Sequence, residues 1–135
     1  MKSKRSAAVI GVVDDDESVR MGLSSVLRSA DWHVATYSSA EQLLGDRHRS
    51  KLRLVITDVQ MAGLDGFALL TSIRLWKRPI PVICITAYAT SAMSARANDR
   101  GAAGFFSKPV DDESLLALIA DLLSPCEGRE SRLKN

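Results

Sequence analysis

Short apolar runs alternate along this chain with stretches in which apolar residues return every three or four positions. The runs are Ala8–Val13, Leu54–Ile56 leading to Thr57 and Asp58, Val82–Ile85 and Ala103–Ser107, with a less apolar run at His33–Tyr37. Val, Ile and Leu without alternation read as strands buried on both faces, as in a parallel sheet. Between them Val19, Leu23, Val26, Leu27 and Ala30 recur at helical spacing, predicting a helix over about 17–30. Similar spacing predicts helices over 39–48, 66–76 and 111–123, with Ser38 or Ser39 as an N-cap of the second. The segment 89–100 is rich in Ala and Ser with few large apolar residues, and reads as the weakest and most mobile helix. His33–Tyr37 reads as an edge strand.

Strand and helix thus alternate five times. That order predicts a doubly wound α/β fold, a five-stranded parallel sheet with helices on both faces. The 135 residues suit one domain, read as spanning 8–123. Residues 1–7 read as a flexible basic arm. Residues 124–135 read as a disordered tail, or a linker cut short before a further module.

Composition narrows the function. Lys2, Lys4 and Arg5 lie in the arm, and the remainder carries 15 basic against 16 acidic residues. No nucleic-acid footprint follows from that balance. Arg47, Arg49, Lys51 and Arg53 read as a solvated helix C-terminus. No apolar run approaches the roughly 18 residues of a membrane helix, and the basic start leads to no secretory signal, so a cytoplasmic location is expected. Cys84 and Cys126 suggest neither a disulfide framework nor a metal site.

The chemistry sits at the strand ends. Strand one ends in Asp14-Asp15, strand three in Asp58, strand four in Thr86 and strand five in Lys108. Parallel strands gather these groups on one rim, where open α/β sheets bind ligands. Three carboxylates held close repel one another, and a divalent cation resolves the conflict. Oxygen ligands with room for phosphate suit Mg²⁺, and an ammonium and a hydroxyl suit a phosphoryl group. A carboxylate there can be a covalent phosphoryl acceptor. Other chemistries fit less well. The aspartates lack the alternation of an EF-hand loop, and they would repel a dinucleotide's pyrophosphate. No Ser-His-Asp set stands near a strand end, and His33 and His48 read as structural or solvated. A magnesium-dependent phosphohydrolase with an aspartyl-phosphate intermediate remains the alternative. It would carry a second acid two residues after its nucleophile, where this chain has Gln60.

Taken in order, Val13-Asp14-Asp15-Asp16-Glu17, Thr57-Asp58-Val59-Gln60-Met61, Gly63-Leu64-Asp65-Gly66, Ile85-Thr86-Ala87 and Ser107-Lys108-Pro109 resemble the receiver domain of bacterial two-component response regulators. The resemblance covers residues 8 to about 123. It implies a flavodoxin-like (CheY-like) three-layer sandwich with strand order 2-1-3-4-5. It implies that Asp58 accepts a phosphoryl group from a sensor histidine kinase, and that the chain catalyses only its own phosphorylation and dephosphorylation. Asp15, Asp58 and the Gln60 backbone carbonyl would hold Mg²⁺, with Asp14 acting through water. Lys108 would pair with the phosphate. Thr86 and Phe105 would switch, altering a face of helix four, strand five and helix five that binds a homodimer mate or a downstream protein, with no direct contact to nucleic acid or membrane. The resemblance also implies a cis Lys108-Pro109 bond. The chain departs from the family at Ala62, where proline is usual, and that puts the stiffness of the loop beside Asp58 in question.

Overall fold

A computed structural model describes residues 8–124. The basic arm and all but the first residue of the polar tail lie outside the described residues. The strands are β1 (Val9–Val13), β2 (His33–Tyr37), β3 (Leu52–Asp58), β4 (Val82–Thr86) and β5 (Gly104–Ser107). The helices are α1 (Glu17–Ser29), α2 (Ala40–Leu44), α3 (Gly66–Arg74), α4 (Ser91–Asp99) and α5 (Asp112–Leu122), with one 3-10 turn at Arg49–Lys51.

All strand pairs are parallel and the order is β2-β1-β3-β4-β5. The apolar runs are buried as their composition requires. Every residue of β4 is buried, whereas the edge strands β2 and β5 are only partly so. Side chains alternate between two cores. Ile10, Val12, Leu54, Ile56, Ile83 and Ile85 meet Leu23 and Leu27 of α1 and Leu115 and Ile119 of α5. Val13, Val55, Val82 and Cys84 meet Leu43 of α2, Leu69, Leu70 and Ile73 of α3 and Ala97 of α4. Three layers result.

Each helix is started by a side chain that accepts a backbone N–H. Asp16, Ser39, Asp65, Thr90 and Asp111 cap α1 to α5 in turn. Because crossovers return the chain against the strands, these caps gather at the carboxyl ends of the strands. Basic residues close α1 and α3, through Arg28 and Arg74, at the other pole. Both placements oppose the helix dipole.

Several boundaries differ from the sequence reading, most of them by one or two residues. Helix α2 stops at Leu44, not 48, because Gly45 caps it and Asp46 then turns to Tyr37, whose hydroxyl donates to Asp46 Oδ2 at 2.6 Å. Arg47 to Arg53 are therefore not a helix end. Strand β3 begins at Leu52, which is buried, although the exposed Arg53 interrupts the apolar run. Strand β5 starts at Gly104 rather than Ala103. The Lys108-Pro109 bond is cis.

Gly66 shows how tightly α3 meets β3. Its N–H bonds the Val59 carbonyl at 2.9 Å, and a Cβ there would strike the Asp58 carbonyl oxygen. Gly22 lies on the exposed side of α1, with nothing within 4 Å of a built Cβ. Gly66→Ala is therefore expected to cost about 1–3 kcal/mol through forced backbone movement. Gly22→Ala is expected to stabilise by about 0.5–1 kcal/mol. Urea unfolding midpoints of the two variants should move in opposite directions.

Candidate functional site

The sheet brings the strand-end groups together at the crevice where the strand order reverses. Asp14 follows β1 and is fully buried. Its Oδ1 accepts the Asp16 N–H at 2.9 Å, and the Arg20 guanidinium, one turn into α1, donates to its backbone carbonyl at 2.7 Å. Asp15 beside it is exposed. Asp58 is the last residue of β3 and only 5% exposed, deeper than a simple rim position. Lys108 reaches in from just past β5, where its N–H bonds the Thr86 carbonyl at 2.8 Å. The ammonium lies 2.9 Å from Asp14 Oδ2 and 3.5 Å from Asp58 Oδ2, bridging both.

Asp14, Asp15 and Asp58 each offer a carboxylate oxygen, and these atoms lie within 4.8 Å of one another. One ammonium does not balance three carboxylates. The strain shows in the titration of the groups. Asp58 is pushed above the ordinary carboxylate value, first by burial and then by Asp14, against the pull of Lys108 and the Gln60 N–H. Burial alone would lower Lys108, but the two carboxylates more than offset it and hold the ammonium above its usual value.

Gln60 is exposed, and its N–H reaches Asp58 Oδ1 at 3.4 Å. Thr86 is fully buried, and its hydroxyl accepts the Tyr88 N–H at 3.2 Å. That hydroxyl is engaged in its own turn rather than with Asp58. Phe105 is half-buried opposite Cys84 in the β4–β5 register. It lines a cavity of about 560 Å³ with Ser94, Asn98 and Ala102, between α4 and β5.

Two supports of the site carry no local sequence signal. Glu41 of α2 accepts the Leu64 N–H at 3.2 Å and underlies Gly63, whose φ is 77°. It braces the loop in which Ala62 stands, from 23 residues away. Arg96 and Arg100 place their guanidinium groups 4.6 and 5.7 Å from the centre of the Phe67 ring. They tie α4, whose sole buried residue is Ala97, to α3. Trp32 is buried in the core under α1, and Trp76 follows α3 at the far pole, so neither indole adjoins the carboxylates.

The profile of the response regulator receiver domain matches residues 10–120. The chain belongs to that family. This receiver is 36% identical over 113 residues to the response regulator protein TodT of Pseudomonas putida, covering 84% of this chain and 50% of that protein. It is 31% identical over 118 residues to the transcriptional regulatory protein FixJ of Bradyrhizobium diazoefficiens, covering 87% of this chain and 58% of that one. The structure of the chemotaxis protein CheY4 of Vibrio cholerae superposes with a TM-score of 0.77 at 26% identity, covering 86% of this chain and 98% of that one. The receiver thus spans about half the length of the curated relatives it matches. The phosphohydrolase alternative is not favoured. No helix among the described residues is long and apolar enough to cross a membrane.

The titration of Asp58 fixes a stability test. Its folded value lies above its unfolded value, so ionisation costs the fold stability as pH rises through that interval. Asp58→Asn removes the charge but keeps the shape. Without divalent cations, it is expected to raise the unfolding midpoint at neutral pH. The gain should fade as the solution is acidified below the ordinary carboxylate range.

Proposed function

We propose that Asp58 is the phosphoryl acceptor of this receiver, and that Lys108, Thr86 and the paired aspartates assist the transfer. The observation that carries this reading is the convergence of Asp14, Asp15 and Asp58 oxygens within 4.8 Å beside the Lys108 ammonium. Hard oxygen donors with an excess negative charge suit Mg²⁺. Asp15, Asp58 and the Gln60 carbonyl would hold it directly, and Asp14 through water. When bound, the ion supplies positive charge between the carboxylates and the phosphoryl oxygens.

The donor is a histidine kinase. An ionised Asp58 oxygen attacks the phosphorus in line as the phosphorus–nitrogen bond of the phosphohistidine breaks. The leaving imidazole nitrogen keeps that electron pair and takes a proton, and an acyl phosphate remains on Asp58. Lys108, 3.5 Å from Asp58 Oδ2, would meet the negative charge that grows on the phosphoryl oxygens. The chain turns over no other substrate. Water later cleaves its own acyl phosphate.

Thr86 then carries the signal outward. Its hydroxyl leaves the Tyr88 turn and donates to a phosphoryl oxygen. The volume it vacates is filled by Phe105 turning inward, because close-packed interiors do not keep such voids. Phenylalanine has no hydroxyl, so its two positions differ in burial and not in hydrogen bonding. The α4–β5–α5 face changes shape and a protein contact there strengthens, with a homodimer mate or a downstream protein. The phosphate biases an existing equilibrium.

Treatment with a small acyl phosphate and Mg²⁺ should add the mass of one phosphoryl group to the wild type and nothing to Asp58→Asn. An undiminished adduct on the variant would remove Asp58 from its role. Asp15→Ala should weaken Mg²⁺ binding in titration calorimetry. Nuclear magnetic resonance with beryllofluoride as phosphate mimic should shift residues across 86–110. Shifts confined to the neighbours of Asp58 would dismiss the switch.

A further inference from the structure

The pole opposite Asp58 carries a cleft lined by cations. Six residue steps along β3 separate Leu52 from Asp58, roughly 20 Å. At the Leu52 end, the segment before β3 and the segment before β4 enclose a cleft of about 690 Å³. That is within the usual size of a ligand pocket, about 300–1,000 Å³. Its walls hold Arg47, Arg49, Arg53, Lys77 and Arg78. Its floor is apolar, formed by Leu52, Trp76 and Ile80.

Among the described residues none of the five cations forms a close ion pair, although Arg49, after the Tyr37 hydroxyl, helps to hold the Asp46 carboxyl below its ordinary value. The only ion pairs among the described residues are those of Lys108. Arg53 donates to the carbonyls of Ser50 and Leu52 at 3.0 and 3.1 Å. Arg49 reaches the Asp46 carbonyl at 3.4 Å and lies 5.8 Å from the centre of the Trp76 ring. Asp46, the nearest acid in the chain, has its carboxylate turned to the Tyr37 hydroxyl and the His48 N–H at 2.6 and 2.9 Å. Five like charges around an apolar floor repel one another and leave guanidinium forks with no planar acid to grip.

We propose that this cleft binds an acidic peptide segment of a partner protein, with glutamate or aspartate side chains on the cationic walls and an apolar side chain on the floor. The walls favour this occupant over the other polyanions. The lining has no amide for an adenine edge and no acid for a cytosine edge, so among the bases only guanine would find a bidentate reader. One face of Trp76 lies under Arg49, which removes it as a stacking platform for a nucleotide. The apolar floor needs an apolar anchor, which a bare phosphate lacks. The chain's own ends do not suit. The arm is basic, and the tail sets Arg129, Arg132 and Lys134 against Glu127 and Glu130.

The test uses the full 135-residue chain and fluorescence anisotropy. The probes are a labelled peptide alternating glutamate with leucine, its lysine counterpart, and a thymidine oligonucleotide matched in charge to the acidic peptide. The acidic peptide should saturate the protein and change the emission of Trp76, while the lysine peptide should not bind. Arg47→Glu combined with Arg78→Glu should weaken the acidic peptide about tenfold or more. Ile80→Ser should weaken it several-fold, with the yield of phosphoryl adduct unchanged in both variants. Equal binding of the oligonucleotide would show a nucleic-acid site and overturn the proposal. So would an affinity indifferent to the charge reversals, or self-association of the chain that the same reversals abolish in the absence of peptide.

Discussion

The arrangement rests on a repulsion that the fold does not relieve by itself. Asp14 and Asp58 are buried, Asp15 stands beside them, and one ammonium bridges the buried pair. Chain connectivity forces the encounter. Strands β1 and β3 are neighbours, and each ends in acid, so closing the sheet brings the carboxylates together. The Lys108 bridge makes the encounter tolerable, and the cap hydrogen bonds at Asp14 and Asp16 fix the geometry. A site under this tension favours the arrival of positive charge among its carboxylates.

Much of this was legible in the residues. Uninterrupted Val/Ile runs identify buried parallel strands, and their number and alternation with helices identify the class of sheet. The acids, Thr86 and Lys108 fall at the ends of those runs, which is enough to place them on one rim. What escaped has physical causes. The brace from Glu41 to the Leu64 N–H joins residues far apart in sequence, and nothing near either one announces it. The early end of α2 follows from a tyrosine hydroxyl in β2 competing for Asp46. The burial of Asp58 depends on how closely α3 presses on β3 at Gly66, and a strand-end position alone does not reveal that. The cationic residues before β3 resemble a frayed helix end until the segment before β4 is folded against them.

Helix α4 is the most weakly attached of the long helices. Ala97 is its sole buried residue, Met93 packs half-buried on the core, and two guanidinium groups lie over Phe67. Such contacts are worth about 0.5–1 kcal/mol each at exposed positions. A helix held this way exposes little apolar surface when it shifts. A helix anchored by several leucines would expose far more on the same displacement.

The capping acids gathered at one pole and the arginines and lysine at the other have a consequence for the molecule in motion. They give a nearly neutral protein a permanent electric moment along its strands. A charged surface approaching through solution exerts a torque on such a body before any atoms meet. A cationic surface draws the carboxylate pole forward and turns the arginine pole away, and an anionic one does the reverse. Rotational search is thereby shortened for either end, and the two ends sort their visitors by sign. Salt screens that torque within roughly 8 Å at physiological ionic strength. The selection of which pole touches a partner therefore takes place in the last few water layers.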